Sequence, residues 1–159
     1  MLTLDVLADP GSVVSEMRRV TRPGGTVAGL VNDHRCGFTP FSLVLDTAAP
    51  IEPSAGVLRD ELMSDPKGWP DGLAGLLREA GLSRVHEGRL SIFFEFDSFV
   101  DYWSTFTGGQ GRLGRWLMSL PENQQGLVER HLRPAYLCGM PDGPRAFSTA
   151  FWVARGVVP

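Results

Sequence analysis

The run Arg18-Arg19-Val20-Thr21-Arg22-Pro23-Gly24-Gly25-Thr26-Val27-Ala28-Gly29-Leu30 constrains this chain more than any other stretch. It forces three conformations in succession. A basic segment ends a helix, because Pro23 cannot continue one. Gly24-Gly25 permits a turn with positive φ. Thr26 to Val31 then reads as a strand apolar on both faces, as in a sheet covered on both sides.

The residues before it fit that reading. Leu2, Leu4, Val6 and Leu7 make a short apolar run suited to a buried strand or strand end. Asp9-Pro10 predicts an N-cap followed by proline at the first helical position. Val13, Met17 and Val20 recur at helical spacing, and Glu16 and Arg19 form an i,i+3 pair on the opposite face. From Asn32 to Pro53 the periodicity lapses at Pro40, Pro50 and Pro53, with room for a short helical piece at Phe41 to Leu45. Trp69 to Ala80 predicts a helix with Leu73, Leu76, Leu77 and Ala80 on one face and Gly81 as the residue past its end. Leu82 to Phe96 predicts a strand in which Leu90, Ile92, Phe94 and Phe96 alternate with mostly polar neighbours.

Asp97 or Ser98 can cap a following helix carrying Phe99, Trp103 and Phe106. Gly108-Gly109-Gln110-Gly111 breaks it. A further helix bears Leu113, Trp116, Leu117 and Leu120. Ser119 and Glu122 have the spacing of a capping box, and the helix they would start buries Leu127, Val128 and Leu132 before Pro134. Met140 to Pro144 is a turn. Ala146 to Val158 predicts the last strand, with Phe147, Thr149, Phe151 and Val153 alternating. The order of helices between strands predicts an α/β fold with a partly parallel sheet, over a single domain, residues 1–159, in which residues 97–139 form a helical insert between the last two strands.

Composition narrows the function. The chain has 159 residues, 43% hydrophobic and 21% charged, with a net charge of −3 and a pI near 5.6. That is enough for one core, and it argues against nucleic-acid binding, which needs a concentrated basic face. Cys36 and Cys138 lie far apart and form no metal-type pair, so a reduced, cytoplasmic protein is the simple expectation. No apolar run approaches a membrane span.

Four segments together carry a resemblance. Asp9-Pro10 to Val20 followed by Arg22-Pro23-Gly24-Gly25-Thr26-Val27 resembles the helix and turn leading into the fifth strand of class I S-adenosylmethionine-dependent methyltransferases. Leu76-Leu77-Arg78-Glu79-Ala80-Gly81-Leu82 is similar to the helix preceding their sixth strand. Phe96-Asp97-Ser98-Phe99-Val100-Asp101-Tyr102-Trp103 and the end Ala150 to Gly156 resemble a bacterial subgroup acting on small molecules or uncharacterised substrates. The resemblance implies a truncated Rossmann-like sheet with strands equivalent to the end of the fourth, then the fifth, sixth and seventh. The family's sheet order is 3-2-1-4-5-7-6. The glycine-rich turn after the first strand and the acidic residue after the second, which hold S-adenosylmethionine, have no counterpart here.

What the resemblance implies for sites follows residue by residue. Leu4 and Asp5 stand where fourth-strand residues border the cofactor. Asn32, Asp33 and His34 stand past the fifth strand, at the carboxyl end where such sheets place ligands, and Asp33 or His34 could act as a base; an ordinary polar loop is the plainer account of them. Tyr102, Trp103 and Phe106 belong to the insert that caps the substrate in related enzymes. Phe99, Trp103 and Phe106 also suit a core stripe, while Tyr102 projects from a different face. His86 and His131 read as structural or exposed. No group has metal-ligand spacing, and no catalytic residue can be assigned. The expected function is the substrate-side half of a methyltransferase acting on a small molecule, inactive without the cofactor side. The alternative is a non-catalytic homo-oligomeric binding module. In both, the strand near Leu2–Leu7 lacks a neighbour and calls for self-association, such as a homodimer, or a partner chain.

Overall fold

The computed structural model describes residues 4–5, 7–35 and 37–159. Its elements are α1 Pro10–Val20, β1 Thr26–Asn32, α2 Thr39–Ala48, α3 Pro53–Ser64, a 3-10 turn Pro66–Gly68, α4 Gly72–Glu79, β2 Ser83–Phe96, α5 Phe99–Thr107, α6 Gly111–Ser119, α7 Glu122–Leu137 and β3 Arg145–Val157. The architecture is mixed α/β, with one antiparallel sheet of three strands. The strand order is β1-β3-β2, and β1 pairs antiparallel with β3 from Thr26↔Val157 to Asn32↔Phe151. The partly parallel pairing expected from helices between strands is therefore corrected. The last strand enters between the first two and separates them.

Two compact units divide the described residues. The first comprises residues 1–37, 65–92 and 150–159, and the second residues 38–64 and 93–149. The second thus takes in α2 and α3 as well as the region read as an insert.

In the first unit, α1 begins as its sequence predicts. Asp9 is the N-cap, its carboxylate accepts from Ser12 N at 3.0 Å, and Pro10 opens the helix. Glu16 and Arg19 form the expected pair at 2.7 Å. Gly24 takes φ 77°, and the turn is tied to the far end of the sheet: Gly24 N donates to Val158 O and Val158 N to Gly25 O, each at 2.9 Å. At the end of α4, Gly81 has φ 79°, Leu82 N donates to Leu77 O and Gly81 N to Arg78 O. That double closure satisfies two terminal carbonyls and buries Leu77 beside Leu82. Val14, Val27, Val31, Leu73, Leu77, Ala154 and Val158 form this unit's core. Met1 to Thr3 and Val6 lie outside the described residues. Leu4 and Asp5 are in a turn, and the strand expected over Leu2 to Leu7 is not seen among the described part of it.

The second unit has a larger aromatic core. Phe99, Tyr102, Phe106, Leu113, Leu117, Val128, Leu132 and Tyr136 are all buried. Prolines read as interruptions turn out to start helices: Pro40 stands in the first turn of α2 and Pro53 opens α3. Pro134, expected to end a helix, sits inside α7. The capping box does not form. Ser119 Oγ donates back to Trp116 O instead, and Pro121 occupies the N-cap.

Candidate functional site

The carboxyl end of β1 collects the polar groups of the first unit. Beyond Asn32 the chain turns sharply. Asp33 N donates to Ala150 O at 3.0 Å, Gly37 N to Asp33 O at 2.9 Å, and Ala150 N to Gly37 O at 2.6 Å. Gly37 is required here, because a Cβ on it would lie 2.5 Å from Ala150 Cβ.

Two expected site residues are brought together. Asp5 Oδ2 accepts from Asn32 N at 2.9 Å and from Asn32 Nδ2 at 2.6 Å. Burial pushes the Asp5 carboxyl above its ordinary value, against the lowering pull of those two hydrogen bonds; the charge of Asp65 raises it further and Lys67 lowers it. Because Nδ2 of Asn32 donates to Asp5, its Oδ1 faces the other way as an acceptor. Leu4 is buried, and Gly29 makes room for it: a Cβ there would stand 3.1 Å from Leu4 Cδ1.

Asp33 is also buried, with a side chain only 5% exposed, and its Oδ2 pairs with Arg89 NH2 at 2.6 Å. Arg89 reaches across from β2, and its guanidinium lies 5.3 Å from the Trp152 ring. Trp152 Nε1 is buried without a hydrogen-bond partner. His34 is half-buried in the turn that follows. The 3-10 turn closes over this end of the strand. Asp65 caps it by accepting from Lys67 N at 3.0 Å, and Lys67 Nζ returns to Asp65 at 2.8 Å. A Cβ on Gly68 would come within 3.1 Å of Asn32 O. Arg35 stacks over Trp69 at 4.5 Å.

Tyr102, Trp103 and Phe106 lie on α5, in the second unit. Tyr102 shows no solvent-exposed surface, and its hydroxyl donates to Pro40 O at 2.5 Å. It stacks on Phe147 at 5.3 Å and Tyr136 at 5.1 Å. The separate face expected for Tyr102 is thus packed into a core. Phe106 is buried beside it, and Trp103, half-buried, stacks on Phe99.

Sequence reading missed Asp65, Lys67 and Arg89. Asp65-Pro66 carried a cap signal of the same kind as Asp9-Pro10, and it could have been used. Arg89 carried none, since its partner Asp33 is remote in the chain and on another strand. Among the described residues no group of three or more His, Cys, Asp or Glu could hold a metal ion, and no helix is long and apolar enough to cross a membrane.

Among the described residues, those expected at the cofactor or comparable to its glycine-rich turn are otherwise engaged. Leu4 is turned into the core, the Asp5 carboxylate is engaged by Asn32, and the one comparable glycine cluster, residues 108–111, joins α5 to α6 and follows no strand. No family model matches the chain, and no curated protein matches it. Among solved structures, a Bacillus halodurans protein described as a "putative methyltransferase" aligns with 99% of this chain and 67% of its own, at 14% identity and a TM-score of 0.46.

Proposed function

We propose that this chain is the substrate-side part of a methyltransferase acting on a small molecule, with S-adenosylmethionine held by polypeptide beyond these residues. One observation carries the reading. β3 lies between β1 and β2 and runs antiparallel to β1, the arrangement that the sequence resemblance implies for strands five, seven and six. A simple helix-strand alternation would instead have set β1 beside β2.

The chemistry assigned to this chain is limited to positioning the acceptor. Asp5 holds the Asn32 side chain, and the free Asn32 Oδ1 can accept from a hydroxyl or amine of the methyl acceptor. Methyl transfer is a displacement governed by alignment, so a chain that places only one reactant is inactive alone.

Calorimetric titration of the purified chain with S-adenosylmethionine tests the division of labour. No saturable heat is expected; micromolar binding would overturn the assignment of the cofactor site elsewhere. An NMR-detected screen of small amines and phenols tests the substrate side. Shifts at the Asn32 side-chain amide that vanish in Asn32→Ala are expected, and a screen that leaves that amide unmoved sinks the reading.

A second reading rests on the exposed apolar residues of β2. Leu90, Ile92, Phe93 and Phe94 are 48%, 37%, 70% and 38% exposed on an edge strand. They suit a homo-oligomeric binding module, and self-association along this strand or near Leu2–Leu7 belongs to that reading.

A further inference from the structure

One face of the first unit's sheet is covered and the other is open. Val27 and Val31 of β1 and Ala154 and Val158 beyond them pack with Leu73, Leu77 and Val14 of the helices. Strand periodicity sends the alternate residues to the opposite face. There Ala28 stands opposite Arg155 and Leu30 opposite Val153. Ala28 and Arg155 are exposed, and so are Arg84, His86 and Leu90.

Two adjoining hollows mark this face. One, about 450 Å³, is lined by Ala28, Leu90 and Val153 with His86, Arg155, Glu87 and Arg89, the last already paired with Asp33. The other, about 230 Å³, shares His86 and Arg155 and adds Arg84. Neither Arg84 nor Arg155 has an ion-pair partner among the described residues. The Glu87 carboxylate in the larger hollow is already engaged. It accepts from Asp71 N at 2.6 Å and Ala74 N at 2.9 Å, capping α4.

The occupant must therefore bring apolar surface and negative charge together. A second copy of this face would set guanidinium against guanidinium. A small molecule would be covered on one side only, whereas ligand sites enclose most of their ligand. Three strands at ~4.8 Å spacing span about 10 Å, the diameter of one α-helix. We propose that this face is the docking surface for an amphipathic helix of a partner polypeptide, with an apolar stripe against Ala28, Leu90 and Val153 and acidic residues on the flank facing Arg84 and Arg155. The proposal rests on this surface and is independent of the methyltransferase reading.

The probe is a fluorescein-labelled, lactam-stapled synthetic helix with a leucine-alanine stripe flanked by glutamates, compared with a twin in which lysines replace the glutamates. Fluorescence anisotropy against the full chain should show the glutamate helix binding at least roughly tenfold more tightly. Amide shifts should fall at Ala28, Val153 and Arg155. The doubly reversed variant Arg84→Glu, Arg155→Glu, checked for folding by circular dichroism, should invert the preference. Equal affinity for the two peptides, an unchanged preference in that variant, or shifts confined to other surfaces each overturn the proposal. So does decanoate moving the same amides while neither peptide binds, which would reassign the face to a small organic anion.

Discussion

Asp5 is the residue on which the candidate site turns, and its titration has a defined sign. Its folded carboxyl is raised above the ordinary 3.8, chiefly by burial. The folded state therefore keeps its proton longer than the unfolded one. The associated stability is fully present below pH ~3.8 and is lost as pH rises through the raised folded value. Both hydrogen bonds from Asn32 go to one oxygen, Oδ2, so the amide oxygen of Asp5→Asn can accept both. That variant should fold, and its stability, followed by urea unfolding from pH 4 to 8, should lose the decline seen in the parent. Asp5→Ala should cost about 1–3 kcal/mol, because a partly buried N–H of Asn32 loses its acceptor. Because Asp9, Glu16 and Asp71 are lowered and act in the opposite sense, the readout is the parent's stability minus the variant's, and a difference that climbs across that window would refute the assignment. Tyr102 is the residue most altered by moving from sequence to structure. At i+3 from Phe99 and i−4 from Phe106 it shares their helical face, and Phe96, Tyr136 and Phe147 enclose it from other elements. No local pattern reports such partners. Tyr102→Phe should keep the packing and lose the bond to Pro40 O, a loss of about 0.5–1.5 kcal/mol in thermal unfolding; an unchanged midpoint would show that bond to be empty of energy.

Elements whose ends are written in local chemistry were legible; those defined by remote partners were not. Asp9-Pro10, Pro23-Gly24-Gly25 and Ala80-Gly81 each fix a boundary through a side chain or a φ value, and each does so in the fold. The stretch from Asn32 to Pro53 misled because proline signals both a break and a helix start, and only the following residues decide which. α3 buries Ala55, Leu58 and Leu62 at helical spacing, a stripe blurred in the sequence by the exposed Val57 and Met63 beside it. α4 shows a further limit: Asp71 adopts φ 64° and gives no side-chain cap, while Glu87 from β2 supplies the acceptor. Gly72 is the hinge of that junction. A Cβ on it would sit 1.9 Å from Pro66 O, a backbone atom that cannot rotate away. Alanine is the better helix former by ~1 kcal/mol, but the clash outweighs it. Gly72→Ala should lower stability by about 1–3 kcal/mol in urea unfolding, and a stabilised variant would mean that the 3-10 turn yields freely.

At the scale of the whole molecule, the α/β class and the three strands were readable from alternation and breaks, but their pairing was not. Apolar residues on both faces of β1 suit a central parallel strand as well as an edge strand that β3 covers. β2 shows the reverse. Its alternation reads as a buried face, yet the fold leaves Leu90, Ile92 and Phe94 exposed, because alternation reports amphipathicity and not what lies opposite. Phe93, the most exposed of them, should drive association: sedimentation velocity should show less self-association for Phe93→Lys than for the parent at equal concentration, and equal distributions would remove β2 from consideration. The position of β3 also sets the order in which this molecule can be made. β1 leaves the ribosome long before its partner, which spans Arg145–Val157. At ~5–20 residues per second, β1 waits on the order of ten seconds for that strand. Among the described residues β1 and β2 meet only through β3, so the two strands stay unjoined until the residues from Arg145 onward have been added.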